Sequence, residues 1–513
     1  MSPTGPNPRP VRALPARVRV GYGLGSFATG TFGTVPGLLL LYYLTDVLGV
    51  GAGLAGLLVF LPKAWDVLFN PWVGARSDRS IRSRFGPRRS WMLLGALTLP
   101  VCFAGMFAAP AGLDGAPAAA YVAALFLLSA SAYACFQVPY VALPAELTGD
   151  PDERARVMAW RVAFLAVAIL LSGSLAPILA GATGDDRGSA GGYRVMGLAV
   201  GGLLAVGMLA AVIATAGGRG VIRTTDGVAR GTDGVIRTTR GVTPAPPGVI
   251  RTTQSVVRIT SESTLLAQLR AARGNAPFWW LFGAYVVQAA ATGLMLAGTQ
   301  YFATYILDRP SATTLLFACL IVPSLLAMPL WLAVGRRTGK RNAAVGASWC
   351  FLVGAVGAAA GRELPPGLVY GAVALAGVGY AGMQMLPLAM LGDAIVADGY
   401  VSGRRRAGVF TGLWTAGETL GLALGPGLFG LVLALGGFVS SDAADRVAQP
   451  GSALTAIVVG FGALPALLLA LSLPLLARYR LTESELNRLR AEFDDDVVPD
   501  ASEQPTHRDE ESA

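Results

Sequence analysis

Twelve separate stretches of this chain stay apolar for about 20 residues or more, the length a helix needs to cross a bilayer. They run over 20–45, 51–74, 91–110, 117–144, 157–182, 194–216, 278–306, 312–335, 342–360, 367–392, 408–437 and 452–477. Hydrocarbon offers no partner for a peptide N–H or C=O, so each stretch must satisfy its backbone internally and is predicted to be a helix. The expected fold class is an all-α membrane protein with twelve transmembrane helices. Composition supports it: 53% of residues are hydrophobic and 14% charged, with a mean hydropathy of +0.56, against roughly 25% charged in soluble domains.

The net charge of +9 and pI near 9.6 do not point to nucleic acid, because the basic residues fall between apolar runs rather than on a soluble face. They obey the positive-inside rule instead. One side collects Arg9 to Arg19, Arg76 to Arg89, Arg154 and Arg156, Arg219 to Arg273, Arg336 to Arg341, Arg404 to Arg406 and the arginines from Arg478. The other holds Arg187, Arg194, Arg309, Arg362 and Arg446. Both termini are therefore expected in the cytoplasm, in a multi-pass protein of the plasma (inner) membrane. The first apolar run is too long for a signal-peptide core and reads as an uncleaved first span. Cys102, Cys135, Cys319 and Cys350 sit in apolar runs without metal-ligand spacing and read as small core residues. The single histidine, His507, lies in the polar tail, which excludes a His-based triad and argues against a metal site. No nucleophile elbow or phosphate loop is present, so an enzyme is not expected. No cofactor is implied.

Five regions follow: a cytoplasmic segment 1–19, six spans over 20–216, a low-complexity linker 217–276, six spans over 277–477 and a tail 478–513. The linker contains GVIRTT three times, from Gly220, Gly234 and Gly248, a 14-residue period too poor in apolar residues to bury a core. It reads as a disordered tether whose arginines can rest on anionic headgroups, at about 1 kcal/mol each. The two halves echo each other. The second span leaves through Pro71 and Gly74 into arginines, and the eighth does so through Pro329 and Gly335 into RRTGKR. Parallel six-helix repeats are the architecture of major facilitator transporters, with a solute site near mid-membrane between the halves.

The densest polar signal is LPKAWDVLFNPWVGARSDRSIRSRFGPRRSW, from Leu61. Lys63 and Asp66 stand at i and i+3 on a hydrocarbon-depth helix, where an ionised group is costly unless paired or hydrated. They share a face and can neutralise each other; the structural alternative is a ligand-free pair that locks helices together. Asn70 follows one turn after Asp66. Asp78, Arg79, Arg88 and Arg89, with Glu146, Asp150, Asp152, Glu153 and Arg154, and their counterparts Asp393 and Arg404, are expected to form inter-helix ion pairs that close a cytoplasmic gate. Topology alone explains the arginines but not the interleaved acids. Tyr22, Gln137, Tyr140, Arg161, Gln384, Trp414 and Glu418 are candidate solute-binding residues, and Trp160, Gln288 and Gln300 further pocket lining. Each alone is as readily a packing residue or an interface anchor.

WDVLFNPWVGARSDRSIRSRFGPRRSW, from Trp65, resembles the second-helix signature of the glycoside-pentoside-hexuronide cation symporters, the melibiose permease-like group of the major facilitator superfamily. YYLTDVLGV, VPYVALPAELTGDPDERARVMAWR and GRRRAGVFTGLWTAGETLGLALGP resemble its other motifs, in the same order. The resemblance implies alternating-access symport of a sugar or glycoside with Na⁺, H⁺ or Li⁺, the cation held by two second-helix aspartates one turn apart. Asp66 matches the first; the second is Asn70, which offers a carbonyl oxygen but neither charge nor proton. The family's first-helix acid falls at Gly30 and its eleventh-helix lysine at Thr419. Arg161 matches a family arginine, and Lys63 replaces one. An uncoupled carrier, an exporter, a carrier of a lysolipid-like amphiphile and a non-transporting receptor on the same scaffold remain open beside the symporter. The expected partners are a small-molecule solute and the lipid bilayer, for a protein acting as a monomer.

Overall fold

The structure is a computed structural model that describes residues 14–78, 88–148, 150–182, 189–216, 269–270, 272–402, 407–441, 447–481, 485–486 and 488–489. The GVIRTT linker and the acidic tail lie outside the described residues. Among the described residues, twelve helices are long and apolar enough to cross a membrane. They are α1 (Ala16–Asp46), α2 (Ala52–Asp78), α3 (Arg89–Met106), α4 (Gly115–Ala142), α5 (Pro151–Gly181) and α6 (Ala190–Ala216), then α7 (Ala276–Ile306), α8 (Ala312–Thr338), α9 (Lys340–Ala359), α10 (Pro366–Ser402), α11 (Ala407–Leu435) and α12 (Gly451–Ala477).

The expected spans all form. The largest departure is α10, whose apolar run suggests an end near 392 but which continues to Ser402. Bilayer thickness limits the apolar run and not the helix, which carries Asp393 and Asp398 onward as an ordinary water-exposed helix would.

Burial sorts the helices by position. In α1 and α7, 78% and 72% of the most apolar stretch is buried, whereas in α5 the figure is 22%. These first helices of the two halves form the interior, and their sequences explain how. Small residues such as Ala28, Gly30, Ala290, Ala291 and Gly293 let neighbouring backbones approach. Large apolar side chains on the other helices point outward, Leu326 at 76% and Leu435 at 80% exposure. On a water-soluble protein such a surface would drive association; around a bundle of this length it matches lipid. Both α1 and α7 contain a π-helical turn, at Pro36–Leu40 and Phe302–Ile306, and α12 has a third at Val459–Ala463. Such turns widen the helix locally and concentrate at functional sites.

The halves are latched at the end opposite the chain termini. There the Thr45 and Tyr301 hydroxyls lie 2.6 Å apart and the Tyr305 hydroxyl donates to Asp46, joining α1 to α7. The Ser441 N–H donates to the Thr45 carbonyl at 3.0 Å, and the Ser440 hydroxyl to the Val50 carbonyl at 2.8 Å. α2 crosses α11 at the same end through glycines. A Cβ added to Gly430 would stand 2.6 Å from the Ala52 carbonyl oxygen and 2.7 Å from Gly56 Cα, so only hydrogen fits there. α5 meets α8 likewise through Gly173 against Phe317.

Candidate functional site

About 17 Å of helix separates Asp66 from Asp78 and Glu418 from Ala407, at about 1.5 Å per residue. Each carboxylate therefore lies near the middle of a hydrocarbon core about 30 Å thick. Two polar clusters surround them, one in each half.

In the first half, Asp66 is 3% exposed and its Oδ1 has no hydrogen-bond partner. Lys63 does not bond to it. The ammonium instead sits 4.5 Å above the ring of Phe32 on α1, a cation–π contact. The expected Lys63–Asp66 salt bridge is thus replaced, because the four-carbon lysine arm reaches across to α1 while the short aspartate stays on α2. Phe32 is in turn stacked on Tyr133 of α4, with centroids 4.7 Å apart. Asn70 is half-buried on the same helix. The Thr29 hydroxyl donates to Gln137 Oε1 at 2.8 Å, placing Gln137 beside α1. Arg161 on α5 has its guanidinium 5.7 Å from the Tyr140 ring, and its buried Nε lacks a partner.

Tyr22 and Tyr140 serve differently from expectation. Both are fully buried, with rings stacked at 4.6 Å, and each hydroxyl donates to the other residue's carbonyl, at 3.2 and 2.7 Å. They staple α1 to α4 rather than line open space. Trp160 is 43% exposed and faces outward. Gly30 is explained by packing: a Cβ there would lie 2.8 Å from Ala168 Cβ and 3.1 Å from the Leu165 carbonyl oxygen of α5, so an acid has no room.

In the second half, α7, α10 and α11 line a small, partly open cavity with Tyr285, Gln288, Thr292, Tyr380, Gln384 and Glu418. The Tyr285 hydroxyl is 3.0 Å from Glu418 Oε1 and 3.1 Å from Gln384 Oε1, and Gln384 Nε2 donates to the Tyr380 hydroxyl at 3.1 Å. The Trp414 ring stacks on Tyr285 at 4.2 Å, an aromatic wall beside the polar chain. Gln288 donates to the Ser348 and Ser472 hydroxyls at 3.0 and 3.2 Å, and its buried Oε1 is unpartnered. Asp66 Oδ1, Arg161 Nε and Gln288 Oε1 are among the buried side-chain atoms of the described residues that have no hydrogen-bond partner, and these three lie in the two clusters. Gln384, Trp414 and Glu418 were legible as candidates. Tyr285 and Tyr380, which join them, were not, although Tyr285 with Gln288 and Tyr380 with Gln384 form polar pairs on one helix face.

Of the expected gate residues that the structure describes, some reach backbone carbonyls and some form ion pairs. Arg88 donates to the Ala142 carbonyl at 3.4 Å, and Arg89 to the Thr215 and Ala216 carbonyls. These are the last residues of α4 and α6, so the arginines cap carbonyls that the helices leave unsatisfied. Arg154 donates to the Thr148 carbonyl at 3.3 Å, and the Asp150 N–H to the Thr148 hydroxyl. Lys340 pairs with Asp393 at 2.7 Å, and Glu153 with Arg19 and Arg156 at 3.6 and 3.4 Å. Each of these contacts stays within one half, and two of them are inter-helix ion pairs, Lys340–Asp393 between α9 and α10 and Arg19–Glu153 between α1 and α5. Arg79 and Arg404, and the side chains of Asp78 and Glu146, lie outside the described residues.

Two six-helix halves, latched at one end and carrying mid-membrane polar clusters, define a secondary transporter of the major facilitator fold. The chain belongs to the family described as MFS/sugar transport protein, which it matches over residues 21–242 and 251–483. It is 25% identical over 508 residues to the putative glycoside/cation symporter YagG of Escherichia coli (strain K12), covering 96% of this chain and 99% of that one. It is 23% identical to the isoprimeverose transporter of Lactiplantibacillus pentosus, over 88% of this chain and 87% of that one. Among solved structures, a bacterial homolog of the human lysosomal transporter Spinster, in an inward-facing conformation, aligns with a TM-score of 0.60 at 14% identity, over 96% of this chain and 100% of that one. The xylose transporter XylE from E. coli aligns with a TM-score of 0.57 at 12% identity, over 91% and 98%. These structural likenesses establish the fold; the family identifies a membrane transporter of small solutes and not an enzyme.

Proposed function

We propose that the chain imports a sugar or glycoside by cation-coupled symport, as a monomer in the plasma (inner) membrane with both termini in the cytoplasm. The observation that carries this reading is Asp66, a membrane-depth carboxylate whose buried Oδ1 has no hydrogen-bond partner. Such a group is stable when a cation lies beside it or a proton sits on it. Na⁺ or H⁺ is the co-transported ion, and Asn70 supplies a neutral oxygen one turn away. The solute lies against the Trp414–Tyr285 wall, with Gln384, Gln288 and Glu418 bonding its hydroxyls. Aromatic faces beside amide and carboxylate acceptors suit a ring that is apolar on its faces and polar at its rim. The latch at Thr45, Asp46, Tyr301 and Tyr305 closes the outer side, so solute leaves toward the termini. The names of the relatives, a glycoside/cation symporter and a transporter of isoprimeverose, support the same solute class.

An uncoupled carrier is the second reading, favoured by Asn70 where a second acid would strengthen cation binding. The test is counterflow in proteoliposomes against a panel of monosaccharides, glycosides and hexuronides, with Na⁺ and pH varied. Exchange of one sugar class that strengthens with Na⁺ or acid supports the proposal. Exchange indifferent to every cation supports the uncoupled carrier, and no exchange of any sugar refutes the solute class.

A further inference from the structure

The proton count in the second-half cavity leads beyond this reading. Tyr285 has one hydroxyl proton and faces two acceptors, Glu418 Oε1 at 3.0 Å and Gln384 Oε1 at 3.1 Å. It can serve only one of them, and an acceptor left without a donor at this depth is costly. Two arrangements satisfy every group. In the first, Glu418 is protonated: its O–H donates to Tyr285, Tyr285 donates to Gln384 Oε1, and Gln384 Nε2 donates to Tyr380, as in the observed amide orientation. The Tyr380 hydroxyl proton is then free to donate into the cavity that Tyr380 lines. In the second, Glu418 is ionised: Tyr285 donates to it, the Gln384 amide turns over to donate to Tyr285, and Tyr380 spends its proton on Gln384 Oε1. Amide oxygen and nitrogen have nearly the same size, so the turn needs no repacking.

We infer that Glu418 is a proton-binding site, separate from Asp66, and that the Tyr285–Gln384–Tyr380 chain converts its protonation into a hydrogen-bond donor for the solute. A proton entering from the cavity adds to a Glu418 carboxylate oxygen, and no other bond is made or broken. The solute oxygen that accepts from Tyr380 favours the protonated state, and by reciprocity the proton favours solute binding, by about fivefold or more.

The surroundings of Glu418 leave the proton as its counter-charge. α7 presents Tyr285 and α10 presents Tyr380 to it. α2, which packs along α11, bears Lys63, whose ammonium is turned onto Phe32, and Asp66, buried on α2. α12 has no charged residue between Gly451 and Ala477. Arg19 and Arg156 pair with Glu153 and Lys340 with Asp393, and among the described residues no ion pair involves Glu418.

The inference rests on the transporter reading only for its consequence, and the experiment separates the two. Purified full-length protein in lipid nanodiscs is titrated with acid, and the infrared difference spectrum is followed in the protonated-carboxyl region, with the proton as the sole probe. The expected result is a carboxyl band that is lost in Glu418→Gln, kept in Asp66→Asn, and shifted in frequency and titration midpoint in Tyr285→Phe. Tyr285→Phe keeps the ring stacked on Trp414, and its midpoint shift is a readout that a merely structural tyrosine would not give. Tyr380→Phe should keep the band unshifted relative to its large displacement in Tyr285→Phe. A spectrum unchanged in Glu418→Gln, or a band lost only in Asp66→Asn, overturns the inference. Either result leaves symport through Asp66 to be judged by transport alone.

Discussion

The two polar clusters occupy corresponding depths in a repeated scaffold, yet one is strained and the other is linked. Around α2, Asp66 and Arg161 each hold a buried polar atom without a partner, and Lys63 rests on an aromatic ring. Around α7, α10 and α11, the hydroxyl and amide groups form a continuous chain from Glu418 to Tyr380. Buried charge without bonds stores the energy that a small ion can release, whereas a bonded chain fixes side chains in place to read a shaped solute. The difference fits the proposed division of labour, in which Asp66 in the first half takes the driving ion and the second half takes the solute. Both clusters lie on the terminal side of the glycine crossing between α2 and α11, so rocking about that crossing exposes them together.

The contrast breaks most severely if the crossing itself is altered. Gly430→Leu places a branched side chain against the Ala52 carbonyl and Gly56 Cα. Overpacking of this kind costs about 1–3 kcal/mol. Solute counterflow should fall to background while the protein still inserts, as judged by its size-exclusion profile; normal counterflow would show that the latched end does not need so close a contact.

Next in size is the ion cluster. Asn70→Asp adds a second carboxylate one turn from Asp66, enough negative charge to compete with water for Na⁺. Na⁺-dependent uptake should strengthen, with half-saturation at lower Na⁺ than in the natural protein. An unchanged Na⁺ dependence would place the ion away from α2. In the solute cluster, Tyr285→Phe removes one hydrogen bond, worth about 1 kcal/mol or about fivefold in solute affinity. Isothermal binding should show that loss with Na⁺ affinity intact, and equal losses in both would contradict the division of labour. The smallest effect belongs to Lys340→Met. Its pair with Asp393 is about a third exposed on the lysine side, and such pairs contribute about 0–1 kcal/mol. Thermal stability and transport should hardly change; a large loss of transport would restore a gating role to this pair.

The spans were legible because the bilayer imposes one length on every crossing, and twelve apolar runs can hardly mean anything else. The symmetry of the halves and the presence of Asp66 and Glu418 within spans were legible for a related reason, since ionisable groups inside such runs stand out. What escaped was what apolar runs conceal. The π turns in α1 and α7 leave no mark in composition. Tyr285 and Tyr380 look like packing aromatics until α10 and α11 bring Gln384 and Glu418 beside them. Thr45, Asp46, Tyr301 and Tyr305 lie at the ends of two spans, and only the docking of α1 on α7 makes them a latch. Likewise, the sequence shows the charge of Arg88 and Arg89 but not the helix ends whose carbonyls those side chains reach.

If Asp66 binds the ion that drives accumulation, uphill uptake measures it directly. Sealed proteoliposomes holding the natural protein or Asp66→Asn are given an inward Na⁺ or proton gradient and the labelled sugar that scores in the counterflow panel. Accumulation above the outside concentration in the natural protein, lost in Asp66→Asn while counterflow persists, is the predicted result. Equal accumulation by both proteins, or accumulation by neither under any gradient, would contradict it.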